Sequence, residues 1–463
     1  MKPKRKKKPQ ASWPGHGADA DEKPKGKAAR GAAVTTRSKS ARPNTESRTD
    51  APGSKATRTR NAPAKRIAAP ASIVRRAPAA RDDRPMPLYA VCAPGLERLT
   101  ADELRVLGLD VGAIEPGGVT LTGTADAVYA ANLHLRSASR VVARVAEFRV
   151  TTFYELETRA KHIEWERWLG AEPVRLRVTC RKSKLYHSDA VAQRFVEAMG
   201  KRTGAWTATN ALDAEGEAEG EDAQLFVVRL LHDRCTVSVD TSGALLHRRG
   251  YRQAVAKAPL RETIAAAMLL ASGWRGESPL VDPLCGAGTI PIEGALLARR
   301  IAPGAGRGFA FMRWPSFDAD AWARHLAKAR EGELPNASAP IIGSDRDAGA
   351  IEAATANAAR AGVAGDVELS QRSLSALEAP AGRGWLITNP PYGVRVGAPD
   401  SVRDLYAQLG NVARGLLGGW NVGFLSPDRA LDTQPRIAVT PAFETTNGGI
   451  KVRYVTGRIP DGA

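Results

Sequence analysis

A doubly wound parallel α/β domain, preceded by two small α+β units and a basic tail, is the architecture this 463-residue sequence predicts. Three observations carry that expectation. From about Arg261 onward, short apolar strand candidates alternate with helical stretches, the rhythm of a parallel sheet covered on both faces. Ahead of it, 87–149 and 150–241 each mix strands and helices as small α+β sandwiches do. The first 86 residues contain no Leu, Phe or Tyr and a single Trp, Trp13.

Such a tail cannot bury enough apolar surface to offset the entropy of ordering, so 1–86 is expected to be disordered. It is also where the charge lies. The chain carries a formal net charge of +18, and Met1–Pro85 holds 23 basic against 7 acidic residues. A run so cationic suits a polyanionic partner such as nucleic acid; a solubilising extension is the alternative. No apolar run follows the opening lysines and none anywhere approaches the roughly 18 residues of a membrane span, so neither a signal peptide nor a membrane partner is expected. Cys92, Cys180, Cys235 and Cys285 stand far apart, without CxxC pairs or a His cluster. That argues against disulfides and against a metal site, and it fits a cytoplasmic location.

Within 87–149, Leu88–Ala93 reads as a strand, Pro94-Gly95 as a turn, and Leu96, Leu99, Leu104 and Leu107 as one helical face. Val119–Thr122 is a short strand, Ala125–Ser139 a second helix and Val141–Val150 a third strand. In 150–241, Val174–Cys180 alternates apolar and basic side chains, a half-buried strand with a cationic outer face. Arg181–Ser188 leads from it into a helix from Asp189. Asp213–Asp222 reads as an acidic mobile loop, and Leu225–Leu230 and Cys235–Asp240 as a hairpin.

The remainder, 242–463, carries three signals. In Val281-Asp282-Pro283-Leu284-Cys285-Gly286-Ala287-Gly288-Thr289 a strand ends in Asp and a glycine turn opens a helix. Glycines there let the backbone approach a ligand closely. Pro291 stands where a dinucleotide fingerprint would place its third glycine, which counts against a dehydrogenase. The second signal is Asp345, at the tip of the next strand, placed to accept ribose hydroxyls; Asp347 reads as a helix N-cap. The long interval between Asp282 and Asp345 implies an insertion at about 301–336 beside the site, containing Phe309, Phe311, Trp314 and Phe317.

The third signal, Asn389-Pro390-Pro391-Tyr392-Gly393, follows the apolar strand Leu386-Ile387-Thr388 directly. The prolines stiffen the corner and leave the Asn389 amide oxygen and the Pro390 carbonyl as fixed acceptors. The amino group of a base is a poor nucleophile because its lone pair is delocalised into the ring. Acceptors gripping its N–H bonds favour a pyramidal, more nucleophilic nitrogen and stabilise the charge of the transition state. Tyr392 can stack on the base. Together the three signals resemble a class I S-adenosylmethionine-dependent methyltransferase acting on an amino or amide nitrogen. The methyl group arrives activated, so Cys285 is not needed as a nucleophile and reads as packing beneath the cofactor.

The fuller run Asp282–Glu293, with His247–Arg252, Pro259–Thr263, Gly419-Trp420-Asn421 and Thr446–Gly449, resembles the THUMP-containing RNA (guanine-N2)-methyltransferases. The likeness spans about Leu88 to Ile459 and is strongest to the branch acting on 23S rRNA; relatives on tRNA acceptor stems share the same parts. The resemblance implies a ferredoxin-like domain (87–149), a THUMP RNA-binding domain (150–241) and a Rossmann-like catalytic domain (242–463), acting as a monomer on RNA. By position, Asp282, Gly286, Gly288 and Asp345 would hold S-adenosyl-L-methionine, with Cys285, Thr289, Ser373 and Asn389 beside them. Asn389, Pro390, Pro391 and Tyr392 would take the guanine, and Arg177, Arg181, Lys182, Lys184, Tyr186 and His187 would contact RNA. Two departures are visible: Ala287 replaces a commoner Ser or Thr, and Ser373 stands where the family often has the Asp that meets the adenine amino group. Some relatives carry a second, 7-methylguanosine-forming enzyme, which this chain is expected to lack. The rival readings are an adenine-N6 or protein-glutamine methyltransferase, and a catalytically inactive RNA-binding assembly factor.

Overall fold

The computed structural model describes residues 83–170, 172–203, 208–210, 223–253, 260–392 and 399–461. The tail through residue 82, the acidic loop 213–222, Pro259 and Gly393 therefore lie outside the described residues.

The first unit runs β1 (Met86–Cys92), α1 (Glu97–Val106), β2 (Asp110–Glu115), β3 (Gly118–Gly123), α2 (Ala125–His134) and β4 (Ala138–Arg149). This is the split β-α-β-β-α-β pattern of ferredoxin-like units. The sequence reading lacks β2, because Asp-Val-Gly-Ala-Ile-Glu has no apolar alternation and its residues stay largely exposed. Its ladder to β3 is what makes it a strand. The second helix also stops earlier than expected, at His134, and β4 starts at Ala138.

The second unit comprises α3 (Phe153–Lys161), β5 (Val174–Arg181), α4 (Ser188–Thr203), β6 (Ala208–Asn210), β7 (Gln224–Leu231) and β8 (Arg234–Asp240). Helix α3 starts where a capping box allows, with the Thr152 side chain taking the Glu155 N–H and Glu155 answering. The two units share one sheet, in the order β2-β3-β1-β4-β8-β7-β5-β6. The join is an antiparallel β4–β8 ladder running from Val142↔Asp240 to Arg149↔Arg234. The buried Arg140–Asp240 ion pair sits beside it.

A second, seven-stranded sheet holds the remainder. Its elements are α5 (Glu262–Ala271), β9 (Leu280–Asp282), α6 (Thr289–Ala298), α7 (Ala319–Glu331), β10 (Ile341–Asp345), α8 (Ala348–Arg360), β11 (Glu368–Gln371), β12 (Trp385–Thr388), α9 (Pro399–Leu416), β13 (Asn421–Ser426), α10 (Arg429–Thr433), β14 (Val439–Asn447) and β15 (Ile450–Arg458). The order is β11-β10-β9-β12-β13-β15-β14, parallel through β13 and antiparallel beyond. Alternate strand residues enter two different cores. Leu280, Ile387 and Tyr454 pack with Ala265 and Met268 of α5 and Ile292 of α6. Val281, Leu386 and Val455 pack with Tyr406 and Leu409 of α9. Burial on both faces is why these strands read as apolar runs.

The insertion at 301–336 does not lie beside the site. Phe309, Phe311, Trp314 and Trp322 join the core of the eight-stranded sheet. The Tyr129 ring centroid of α2 lies 4.9 Å from that of Phe311 and 5.9 Å from that of Trp322, and Trp168 lies 4.9 Å from Trp314. Backbone bonds from Gly304 N to Leu133 O and from Phe311 N to Thr241 O pin it there. A row of aromatics finds more apolar surface on α2 than at a polar cleft, and each buried ring stabilises by about 2 kcal/mol. Among the described residues, no helix is long and apolar enough to cross a membrane.

Candidate active site

The strand order reverses between β9 and β12, and the crevice beyond the carboxyl ends of such strands is where doubly wound sheets take ligands. Asp282 ends β9 and Thr388 ends β12. The Thr388 hydroxyl donates to Asp282 Oδ1 at 2.6 Å, joining the glycine turn to the entrance of the diproline corner. Leu284 N donates to the same oxygen at 3.2 Å. Asp282 is 2% exposed. Burial pushes its carboxyl up to about 7, although both of those hydrogen bonds favour the charged form.

The turn itself needs its glycines. Gly286 has φ +52° and Gly288 φ +81°. A Cβ on Gly288 would stand 2.9 Å from the Ala354 Cβ of α8, so that glycine serves packing. A Cβ on Gly286 would meet nothing within 4 Å: there the turn faces open space. No side chain caps α6 above it, and the amides of an uncapped N-terminus suit a carboxylate or similar group. Asp345 reaches across from β10 to take the Gly286 N–H at 3.0 Å. Asp347 takes the Ala350 N–H and is the N-cap of α8, as expected.

Around the turn, Cys285 is buried and its thiol is pushed well above the ordinary range by burial. A neutral, enclosed thiol packs; it does not attack. The Thr289 hydroxyl receives Arg252 Nη2 at 2.8 Å, while Arg252 Nε pairs with Glu262 at 2.9 Å. Ser373 is exposed, with its hydroxyl 3.1 Å from that of Ser375. Among the described residues no group of three or more His, Cys, Asp or Glu could hold a metal ion.

At the corner, Pro390 is buried, and Asn389, Pro391 and Tyr392 are partly so. Asn389 Oδ1 is buried and has no hydrogen-bond partner among the described residues. An orphaned acceptor of this kind costs about 1–3 kcal/mol, which marks it as waiting for a donor. The Tyr392 hydroxyl receives Asn447 Nδ2 at 2.7 Å.

The basic strip belongs to the other sheet. Arg177 is half-buried, whereas Arg181, which ends β5, and Lys182, Lys184, Tyr186 and His187 beyond it are exposed, Tyr186 at 68%. The Tyr186 and His187 rings lie 4.1 Å apart. The strip is braced by the β7–β8 turn: Asp233 Oδ1 takes Lys184 N at 2.7 Å, and Ser183 Oγ takes Asp233 N at 3.0 Å. The cationic face of β5 is not solvated throughout, since Arg175 is buried.

Sequence reasoning missed Thr388 and Asn447 as parts of the site. Thr388 carried a faint signal, a hydroxyl closing an apolar strand immediately before Asn389; Asn447 lay in the Thr446–Gly449 segment that carries part of the family resemblance, but nothing there pointed to Tyr392 as its partner.

A glycine turn, an acidic strand tip and an Asn-Pro-Pro-Tyr corner meeting at one switch point define a class I methyltransferase. The methyl donor of that class is S-adenosyl-L-methionine, and the open side of Gly286, the uncapped α6 and Asp345 fit it. The RMKL-like methyltransferase domain matches residues 249–456, and the RlmL ferredoxin-like domain matches 87–142. The protein of Synechocystis sp. named "Putative RNA methyltransferase slr0064" is 34% identical over 368 residues, covering 79% of this chain and 94% of that one. The ribosomal RNA large subunit methyltransferase K/L of Syntrophotalea carbinolica is 35% identical over 81% of this chain, but the match covers only 53% of that protein. This chain thus spans about half the length of its K/L relatives. The crystal structure of SMU.472 complexed with SAH is 31% identical, with a TM-score of 0.72, covering 82% of this chain and 99% of that one. The chain belongs to the RMKL-like methyltransferase family.

Proposed function

We propose that this protein transfers a methyl group from S-adenosyl-L-methionine to the exocyclic N2 of a guanine in RNA, with 23S rRNA in the bacterial cytoplasm as its substrate. The observation that carries the reading is the unpartnered Asn389 Oδ1 at the end of β12. With the Pro390 carbonyl it forms a pair of acceptors for the two N–H bonds of an amino group. Gripped there, the nitrogen loses conjugation with the ring, and the positive charge that grows on it during transfer is stabilised in place. Tyr392 offers its ring to the base. The cofactor supplies an activated methyl group, so positioning suffices and no nucleophilic side chain is required.

Asp345 and the Gly286–Gly288 turn would hold the adenosine, with Asp282 fixing the turn through Leu284 N. The exposed side chains from Arg181 to His187 supply positive charge and two aromatic faces, the combination that favours RNA over a protein substrate. The test is mass spectrometry of nucleosides from 23S rRNA and tRNA of cells with and without the gene. Loss of N2-methylguanosine from 23S rRNA is expected. Its loss from tRNA alone would move the substrate, and loss of N6-methyladenosine instead would overturn the chemistry.

A further inference from the structure

Asn447 is a polar side chain in an apolar place. It ends β14, where Phe443, Thr445 and Asn447 alternate inward while Glu444 and Thr446 face out. Gly448 at φ +57° and Gly449 at φ +81° make the two-residue turn, and Asn447 pairs with Ile450 to close it. Both central residues at positive φ are what a tight hairpin requires, so the register of Asn447 is set by the turn. Asn447 is 8% exposed, on the face where Tyr392 packs against the core that holds Phe443 and Tyr454. A buried amide is costly unless bonded, and Asn447 Nδ2 donates to the Tyr392 hydroxyl at 2.7 Å.

Tyr392 is therefore held at both ends: its backbone by the diproline corner, its hydroxyl by the tip of a hairpin 55 residues further along the chain. Burial raises the phenol above its ordinary range, against the opposing effect of the hydrogen bond from Asn447. With both ends fixed, the long axis of the ring is set before any base arrives, and packing against the core of Phe443 and Tyr454 restricts rotation about it. From this we infer that Asn447 is a positioning residue for methyl transfer, orienting the Tyr392 ring against which the target base is stacked. The inference rests on the role proposed above for Tyr392.

The contact with the N-terminal half reinforces it. Gly95, at φ +88° in the β1–α1 turn, lies so close to the Glu444 carbonyl that a Cβ would stand 1.7 Å from that oxygen. Cys92 and Leu96 share the core of Phe443, Val452 and Tyr454. The hairpin that aims Tyr392 is thus clamped from outside by the first unit and does not depend on its own ladder alone.

The experiment uses the full chain with in vitro transcribed 23S rRNA. Asn447→Leu, which keeps the bulk and removes the donor, and Tyr392→Phe, which removes the acceptor, are each expected to lower kcat about tenfold. KM for S-adenosylmethionine should stay within about twofold of wild type in both. The double variant should be no slower than the slower single one, because both break the same bond. A purely structural role would instead lower Tm and worsen cofactor KM in parallel with kcat, and would overturn the inference; additive losses would show that the two side chains do not act through one bond and would overturn it as well. If Asn447→Leu does not fold, Tyr392→Phe still reads the bond from its other end, and wild-type kcat there would equally overturn it. Asn389→Ala runs alongside. Should it keep full turnover, the amino-group reading fails first; should it be inactive while Asn447→Leu turns over normally, only the positioning role fails.

Discussion

Asn389 concentrates the chemistry of the site into one oxygen. Its acceptor is buried and unpartnered, so Asn389→Ala removes a group the fold itself does not use. Methyl transfer should fall by about 100-fold or more while cofactor affinity changes little, which calorimetry beside a radiolabel transfer assay would check. Asp282 makes a different prediction. Its folded-state carboxyl is raised to about 7 from an ordinary value of 3.8. The folded protein then holds that proton more tightly than the unfolded chain. Its stabilising contribution is full below about pH 4 and is lost as pH climbs through about 7, an effect of the order of 4 kcal/mol. Melting curves of the cofactor-free protein should show Asp282→Asn flattening the decline in stability over that window. An unchanged slope would show that the carboxyl is ionised throughout. The corner, the glycine turn and Asp345 were legible in the sequence because their chemistry sits in contiguous residues. Thr388 and Asn447 were not, since their partners are 106 and 55 residues away.

At the scale of elements, the clearest lesson is the insertion between α6 and β10. The sequence displays its aromatics but not their destination. Two readings compete for a row of Phe and Trp near a cleft, and only the facing surface of α2 decides between them. Phe311 is fully enclosed there, so Phe311→Ala should cost about 3–5 kcal/mol. Hydrogen exchange should place the loss in α2 and in the insertion, leaving β9 and β12 protected. A loss confined to the catalytic sheet would contradict the packing described. Strand β2 was missed for the opposite reason: it has almost no pattern of its own and exists through its pairing with β3.

For the whole molecule, charge and connectivity are separate matters. The tail supplies 23 basic and 7 acidic residues. Removing Met1–Pro85 should weaken RNA binding at low salt and flatten the dependence of log affinity on log salt, since fewer counterions are released. Turnover at saturating RNA should stay near wild type; its collapse would place the tail in the reaction. The succession of two α+β units and a doubly wound sheet could be read from composition and periodicity, because each is a local rhythm. The fusion of the first two into one sheet could not, because the β4–β8 ladder joins strands about 90 residues apart, as in Arg149↔Arg234 and Val142↔Asp240.

That ladder also means that neither unit is a transplantable part. A cut after Arg149 would bare β4 and β8 along their lengths, leaving two raw edges ready to zip onto strangers. The pair has to be expressed, truncated and inherited as a single piece.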